Sequence, residues 1–426
     1  MTEDFLHHVW KFRLFNSTEL QTAGGEKLAV INPGVHNRGG GPDFLNARLR
    51  IGGQLWAGHV EIHMKSGDWH THRHTDDPHY KNVILHAVYT HDREVNLYRE
   101  GDLPVLVMAP YIIDRQQERW QQWLQANTWI PCQTRIAEVD AFTWNLWKER
   151  LAVERLEQKC NRMRVLLDQC RGDWNEAFFR LLAKNFGFAA NAEAMEMLAG
   201  YVSLSTIRKL RSDPFQVEAL LFGQAGFLQQ SYADDYPAAL AREFAFLKAK
   251  FALKVMPLSA WNFGRIRPGN FPTVRIAQLA AVLCRHEHLF QAIIEAAGAN
   301  DIHNLFTAST HPYWKEHFRF DVPAARADLQ GGRSPGVQSR ENVLINTVSV
   351  ALFTYGRERS EPLKDKAMQL LESCGPEANA ITDRWKKCGV VVKNAVDSQA
   401  LLQLFKYYCT EKKCLNCQIG VHLLRH

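Results

Sequence analysis

The chain has 426 residues, of which 46% are hydrophobic and 23% charged, with a net charge of +6. Such a composition supports a sizeable core and excludes a disordered chain. The charge is mild, so it permits an acidic partner such as nucleic acid without demanding one. The opening residues, MTEDFLHHVWKFRLF, contain no basic, apolar and small-residue succession of the kind a signal peptide needs. No apolar run approaches the roughly 18 residues of a membrane span. Nine cysteines, mostly solitary, argue for a reducing cytoplasm rather than a disulfide framework.

The chain opens on a helix, with Phe5, Val9 and Phe12 on one stripe. An apolar stretch from Leu28 to Ile31 and a glycine-rich loop, NPGVHNRGGGPDF, come next. Leu45, Ala47, Leu49 and Ile51 alternate with polar residues as in a half-buried strand. Gly52-Gly53 is a hairpin signal, and the returning strand runs from Leu55 to Lys65. Val83 to Tyr89 reads as a central strand, followed by short strands at residues 94–98 and 103–108 and a helix at residues 116–125.

From Trp144 onward the pattern is helical. Asp173-Trp-Asn-Glu176 reads as a capping box and Ser212-Asp213-Pro214 as a helix start. GGRSPG at residues 331–336 is a loop. The expectation is therefore an α+β chain: a mixed-sheet domain at residues 1–130, then a larger, mainly α-helical domain at residues 131–426.

The chemistry concentrates in Gly41 to Trp69. Side chains alternate along a strand, so His59, Glu61, His63 and Lys65 share one face of the returning strand, opposite Val60, Ile62 and Met64. Interior groups of this kind must be satisfied by each other, by a metal or by water. The hairpin can bring Asp43 beside Glu61. Two carboxylates with a nearby base or cation are what divalent-metal phosphodiester hydrolysis requires, with Mg²⁺ or Mn²⁺ on oxygen ligands.

The succession of helix, hairpin approached by Pro42-Asp43, and E-x-H-x-K on the next strand resembles the PD-(D/E)XK nuclease superfamily over about the first 110 residues. The resemblance implies a restriction-endonuclease-like fold, with Asp43 and Glu61 as metal ligands acting on DNA or RNA. The superfamily lysine falls at His63 here, so either His63 replaces it or Lys65 reaches in from the same face; Glu3 is a candidate extra helical acid. The whole chain also resembles a bacterial family of unknown function, best known from Bacteroidetes, in WKFRLF, GPDF, VEIH, the DWxxHxH run and a CLxCxIG-type ending.

Three further groups stand out. DWHTHRHTDDPHY offers His70, His72, His74 and Asp77. They could line the cleft and contact phosphate or metal, form a His-based metallohydrolase site, or be a solvated loop. Cys409-x4-Cys414-x2-Cys417 has the spacing of a zinc or, less readily, an iron–sulfur site, with Cys388 or His422 as a fourth ligand; packing is the alternative. The other cysteines, including Cys132, read as core. Arg265, Arg267 and Arg275, interleaved with Trp261, Phe263 and Phe271, suit nucleic-acid contact or, equally, structural ion pairs. A catalytically inactive nucleic-acid-binding protein is the leading alternative to a nuclease.

Overall fold

The computed structural model describes residues 2–37, 39–95, 103–112, 114–324 and 334–425. It divides into two compact units: Met1–Trp147 together with Phe405–His426, and Lys148–Leu404. The chain is α+β, with strands gathered near its start and helices beyond, as its patterning indicates.

The first unit is built on a six-stranded mixed sheet. Helix α1 (Glu3–Phe12) buries Phe5, Leu6, Val9 and Trp10 and stops at Arg13, whose left-handed backbone turns the chain away. Strands β1 (Leu28–Asn32), β2 (Val35–His36), β3 (Phe44–Ile51), β4 (Gln54–Lys65), β5 (Val83–Thr90) and β6 (Val105–Val107) follow. The sheet order is β1-β3-β4-β5-β6, with β2 also on β3. β1, β3 and β4 are antiparallel neighbours, whereas β5 runs parallel to β4 and β6 parallel to β5.

Gly52 and Gly53 make the β3–β4 turn at φ of 58° and 89°. Two successive positive φ values give the turn whose twist matches its strands. β5 is buried from Val83 to Val88, as expected of a strand with neighbours on both sides.

A parallel pair cannot be closed by a hairpin and needs a crossover. Between β4 and β5 the crossover is the short helix α2 (Asp68–Thr71) and two 3-10 turns, His74–Asp76 and Pro78–Tyr80. It is anchored by Trp69, which is buried with Val83, Val95 and Leu103.

α3 (Asp114–Gln125) and α4 (Ala141–Gln169) correspond to the expected helices. The expected strand at residues 103–108 is shorter, and the one at 94–98 lies partly outside the described residues, as does the start of the GGRSPG loop.

The boundary expected after residue 130 falls at Trp147, and the cysteine-bearing tail groups with the first unit, not the helical one. The reason lies in its apolar face: Leu415, Ile419, Val421, Leu423 and Leu424 are buried. Its backbone is also tied to residues 1–147, through His8 Nδ1 to the Leu415 carbonyl (3.0 Å) and Arg135 Nη1 to the Leu423 carbonyl (3.0 Å).

The second unit is helical, with one small ribbon, His317–Arg319 with Val322–Pro323. Asp173 caps its helix through the Asn175 and Glu176 amides. Glu176 does not close the reciprocal half of a capping box; its carboxylate accepts from the Leu204 amide and Arg180. Asp213 caps the helix that begins at Pro214. No described helix is long and apolar enough to cross a membrane.

Candidate metal centre

Asp43 immediately precedes the register pair Phe44–Val60 of β3 and β4. This places it beside Glu61, and the two residues lock together. The Asp43 amide donates to Glu61 Oε2 (3.1 Å), and the Ile62 amide donates to Asp43 Oδ2 (2.9 Å). Helix α1 lies against β4 and contributes His7, whose Nε2 is 3.2 Å from Asp43 Oδ2.

In the parallel register Glu61 pairs with His86, so His86 joins the face that carries Glu61 and His63. The imidazoles of His63 and His86 meet at 2.9 Å, Nδ1 to Nε2. That contact leaves His63 Nε2 for the opposite side, where it lies 3.4 Å from Glu61 Oε1 and 3.1 Å from His72 Nδ1. The crossover supplies the remaining two imidazoles. Arg73, at a left-handed φ of 57°, turns the chain so that His72 and His74 both face inward from neighbouring turns. His74 is clasped by aromatic rings, Tyr80 stacked at 3.8 Å and Trp69 edge-on at 5.3 Å. His74 Nε2 sits 3.3 Å from Glu61 Oε1.

One donor atom from each of His63, His72 and His74 lies within 4.8 Å of the other two. Glu61, His63 and His74 are buried, and His72 is exposed, which gives the group one open side.

Burial sets the electrostatics. It lowers the His63 imidazole to about 4, helped by the neighbouring His74 and His72. It also lowers His86 to about 3, with His63 adding to the effect. Both rings are neutral at pH 7, the form that offers a lone pair to a metal. Burial raises the Glu61 carboxyl, while His74 opposes that rise. For His7 burial pulls downward, but the Asp43 carboxylate outweighs it and the net shift is upward.

The Nε2 atoms of His7 and His74 are buried and make no in-line hydrogen bond despite their nearby carboxylates. The two imidazoles and two carboxylates converge as pairs within hydrogen-bonding distance, whose atoms could also serve as ligands to a cation. Three imidazoles beside one carboxylate are a donor set that could hold a divalent metal ion.

The other expected residues are placed as follows. Lys65 is exposed at the end of β4; its amide donates to Asp68, and among the described residues no ion pair joins it to Asp43 or Glu61. Asp77 turns away to cap the Pro78–Tyr80 turn and meets His79, so it does not join His72 and His74. His70 bonds the Glu94 carbonyl. Glu3 is near enough to feel His7 and Asp43.

In the second unit Arg265 and Arg267 are exposed. Arg275 is not available to a nucleic acid. It is 4% exposed, bonded to Gln278, Asn270 and Ser339, and lies 4.2 Å over the Phe188 ring. Phe263 and Phe271 are engaged by the Arg319 guanidinium.

Cys409 lies near enough to Cys414, Cys417 and Cys132 to feel each of them electrostatically. Of the two expected fourth ligands, His422 faces Asp140, and Cys388 belongs to the second unit. His7 and Cys132 are the residues that sequence reasoning missed. For His7 a signal existed, since it stands four residues after Glu3 and shares its helix face.

The sequence family described as "Protein of unknown function (DUF2851)" matches residues 3–380. Comparison with curated proteins and with solved structures gave no match. The match takes in the whole histidine site and stops short of Cys409. At that extent it is decisive: the chain belongs to this family.

Proposed function

We propose that this DUF2851 protein is a metal-dependent hydrolase that cleaves phosphodiester bonds of DNA or RNA. The observation that carries the reading is the interlock of Asp43 and Glu61 on adjacent strands, with His63 and His74 at the Glu61 carboxylate and His72 against His63. Glu61 and the three histidines would hold the ion, and Asp43 adds a carboxylate fixed by the Ile62 amide and His7. A bound divalent ion supplies a Lewis acid and a water of lowered pKa.

The chain's own groups do the rest. His86 holds the His63 ring so that Nε2 faces the site. Tyr80 and Trp69 fix His74. His63 stands where the PD-(D/E)XK pattern has lysine, while Lys65 lies outside. The restriction-endonuclease-like description of the sheet belongs to the same proposal. A cleft of about 400 Å³ adjoins His7 and is lined by His8, His36, Lys11 and Lys413, among others. Its lining also includes Asp4 and Glu411, the latter paired with Lys413, so Lys11, Lys412 and Lys413 leave it a slight excess of positive charge that would suit an anionic substrate.

A second reading, a metallohydrolase of small substrates, is favoured by the nitrogen-rich donor set. One experiment separates the possibilities. Metal-free protein is reloaded with Mn²⁺, Zn²⁺ or Mg²⁺ and offered plasmid DNA, single-stranded DNA, RNA and bis(p-nitrophenyl) phosphate, with Glu61→Gln as control. Polymer cleavage that Glu61→Gln loses is the expected result. Hydrolysis of the small ester alone favours the second reading. Nucleic-acid binding with no hydrolysis under any metal leaves an inactive binder, and the nuclease proposal falls.

A further inference from the structure

We infer that Cys132, Cys409, Cys414 and Cys417 form one four-thiolate centre for a thiophilic metal, separate from the histidine site. All four lie in the first unit. Cys132, Cys414 and Cys417 are buried.

Two segments distant in the chain are clamped around the thiols. Trp129 stacks on Phe405 at 4.9 Å, and the Trp147 ring meets Tyr408 edge-on at 5.5 Å. Cys132 leads directly into the 3-10 segment Gln133–Glu138, whose Arg135 holds the Leu423 carbonyl.

Around the C-x2-C pair the backbone makes a tight knuckle. Lys412 is left-handed at φ 51°, and the Cys417 amide donates to the Cys414 carbonyl at 3.2 Å. A Cβ on Gly420 would stand 2.2 Å from that carbonyl, so a side chain there would force the knuckle open. Cys417 immediately precedes the helix Gln418–Arg425. The Ile419 and Gly420 amides of its first turn sit against the Cys417 sulfur, together with the Trp147 indole. Amides directed at a sulfur from a helix start favour a thiolate, while burial outweighs them in the metal-free chain and pushes the Cys417 thiol up to about 11.

The remaining buried thiols form a contrast. Cys160 is surrounded by Thr354 and arginines, and Cys374 by Glu341 and Ser373, whereas Cys409 feels Cys414, Cys417 and Cys132, and Cys414 feels Cys417 and Cys132. Cysteines that merely pack need no such company. Thiolate ligands select zinc or an iron–sulfur cluster. Among the described residues the three histidines are the group whose donors all lie within 4.8 Å of one another.

The test uses the full chain, isolated without chelator under anaerobic conditions. Zinc and iron are measured, and metal-free protein is then titrated with Co²⁺ and, separately, with iron and sulfide. A cobalt–thiolate charge-transfer band reports sulfur ligands and is blind to the histidine site. The expected result is a stoichiometric band, with zinc or iron in the isolated protein identifying the natural occupant. Cys132→Ser and Cys414→Ser should both weaken binding about tenfold or more, while Cys388→Ser leaves it unchanged.

Alkylation of the wild type provides a measurement that needs no variant to fold: Cys132 should be protected in the metal-loaded protein and react once metal is removed. No band and no iron uptake would overturn the inference. So would Cys132→Ser binding cobalt as well as wild type, or Cys132 reacting equally in both states.

Discussion

His63 and Lys65 lie on the same face of β4 yet meet different fates. His63 is 1% exposed among His72, His74, His86 and Glu61, whereas Lys65 emerges into solvent at the strand end. On the proposed function, His63→Ala should lower metal-dependent cleavage by about 10²-fold or more, as removal of a positioned catalytic group does. Lys65→Ala should stay within about threefold of wild type, allowing for a lost surface charge. The ratio of the two rates, measured at saturating Mn²⁺, checks the assignment, and the reverse order would transfer the role to Lys65.

A second residue-scale prediction concerns Glu218, in the helix Pro214–Gln224. Burial pushes its carboxyl up to about 8, from an unperturbed 4.5, and its carboxylate accepts from the Tyr236 hydroxyl. Its folded-state pKa is raised, so between these values the unfolded chain binds fewer protons than the folded one. This group's contribution is therefore fully present below about pH 4.5 and is lost as pH rises through about 8. Glu218→Gln should flatten the fall in melting temperature over that window. An unchanged slope would mean that Glu218 is ionised in the fold.

Elements decide how residues separated in sequence meet. The β3–β4 hairpin was legible because two local signals agree: alternation along both strands and the Gly52-Gly53 turn. Together they place Asp43 near Glu61. Gly53 has φ 89° with open space around a Cβ, so Gly53→Ala should cost about 1–2 kcal/mol, the left-handed penalty of an L-residue. A urea melt of the variant checks this; an unchanged midpoint would mean that the turn relaxes to another type.

The crossover was not legible. α2 has four residues, too short for periodicity, and the inward aim of His72 and His74 depends on one left-handed residue, Arg73. The histidine run could thus be recognised as ligand-like in composition, while its partners, His63 and Glu61 rather than Asp77, could not be read. His7 carried a local signal, one turn after Glu3, but not the identity of its partner Asp43. A helix stripe shows which residues pack, and its polar side shows nothing of the strand it faces. Arg275 failed for the opposite reason, since an arginine among aromatics has one sequence appearance whether it greets a phosphate or stacks in a core.

At the scale of the molecule, strands early and helices late were apparent from periodicity alone. The return of residues 405–426 to the first unit was not, because no local pattern encodes a partner so far away in the chain; the same distance concealed Cys132. Five aliphatic residues of that tail, Leu415, Ile419, Val421, Leu423 and Leu424, are buried. Each buried aliphatic side chain contributes roughly 1.5–3 kcal/mol, and domains have a net stability of about 5–15 kcal/mol. A chain ending at Leu404 should therefore lose the cooperative melt of the first unit and the metal affinity of the histidine site, while the second unit keeps its helical signal. An undiminished metal affinity in that truncation would show that the first unit folds without its tail.

That return also sets a schedule for synthesis. The sheet, the hairpin and the histidines leave the ribosome early, but about 260 residues of helical unit intervene before Phe405 appears. At roughly 5–20 residues per second this is an interval on the order of tens of seconds. Throughout it the nascent sheet unit exposes the apolar seat that the tail will later fill. The part of the protein made first is thus completed last, and during translation it is a natural client for a chaperone that shields apolar surface.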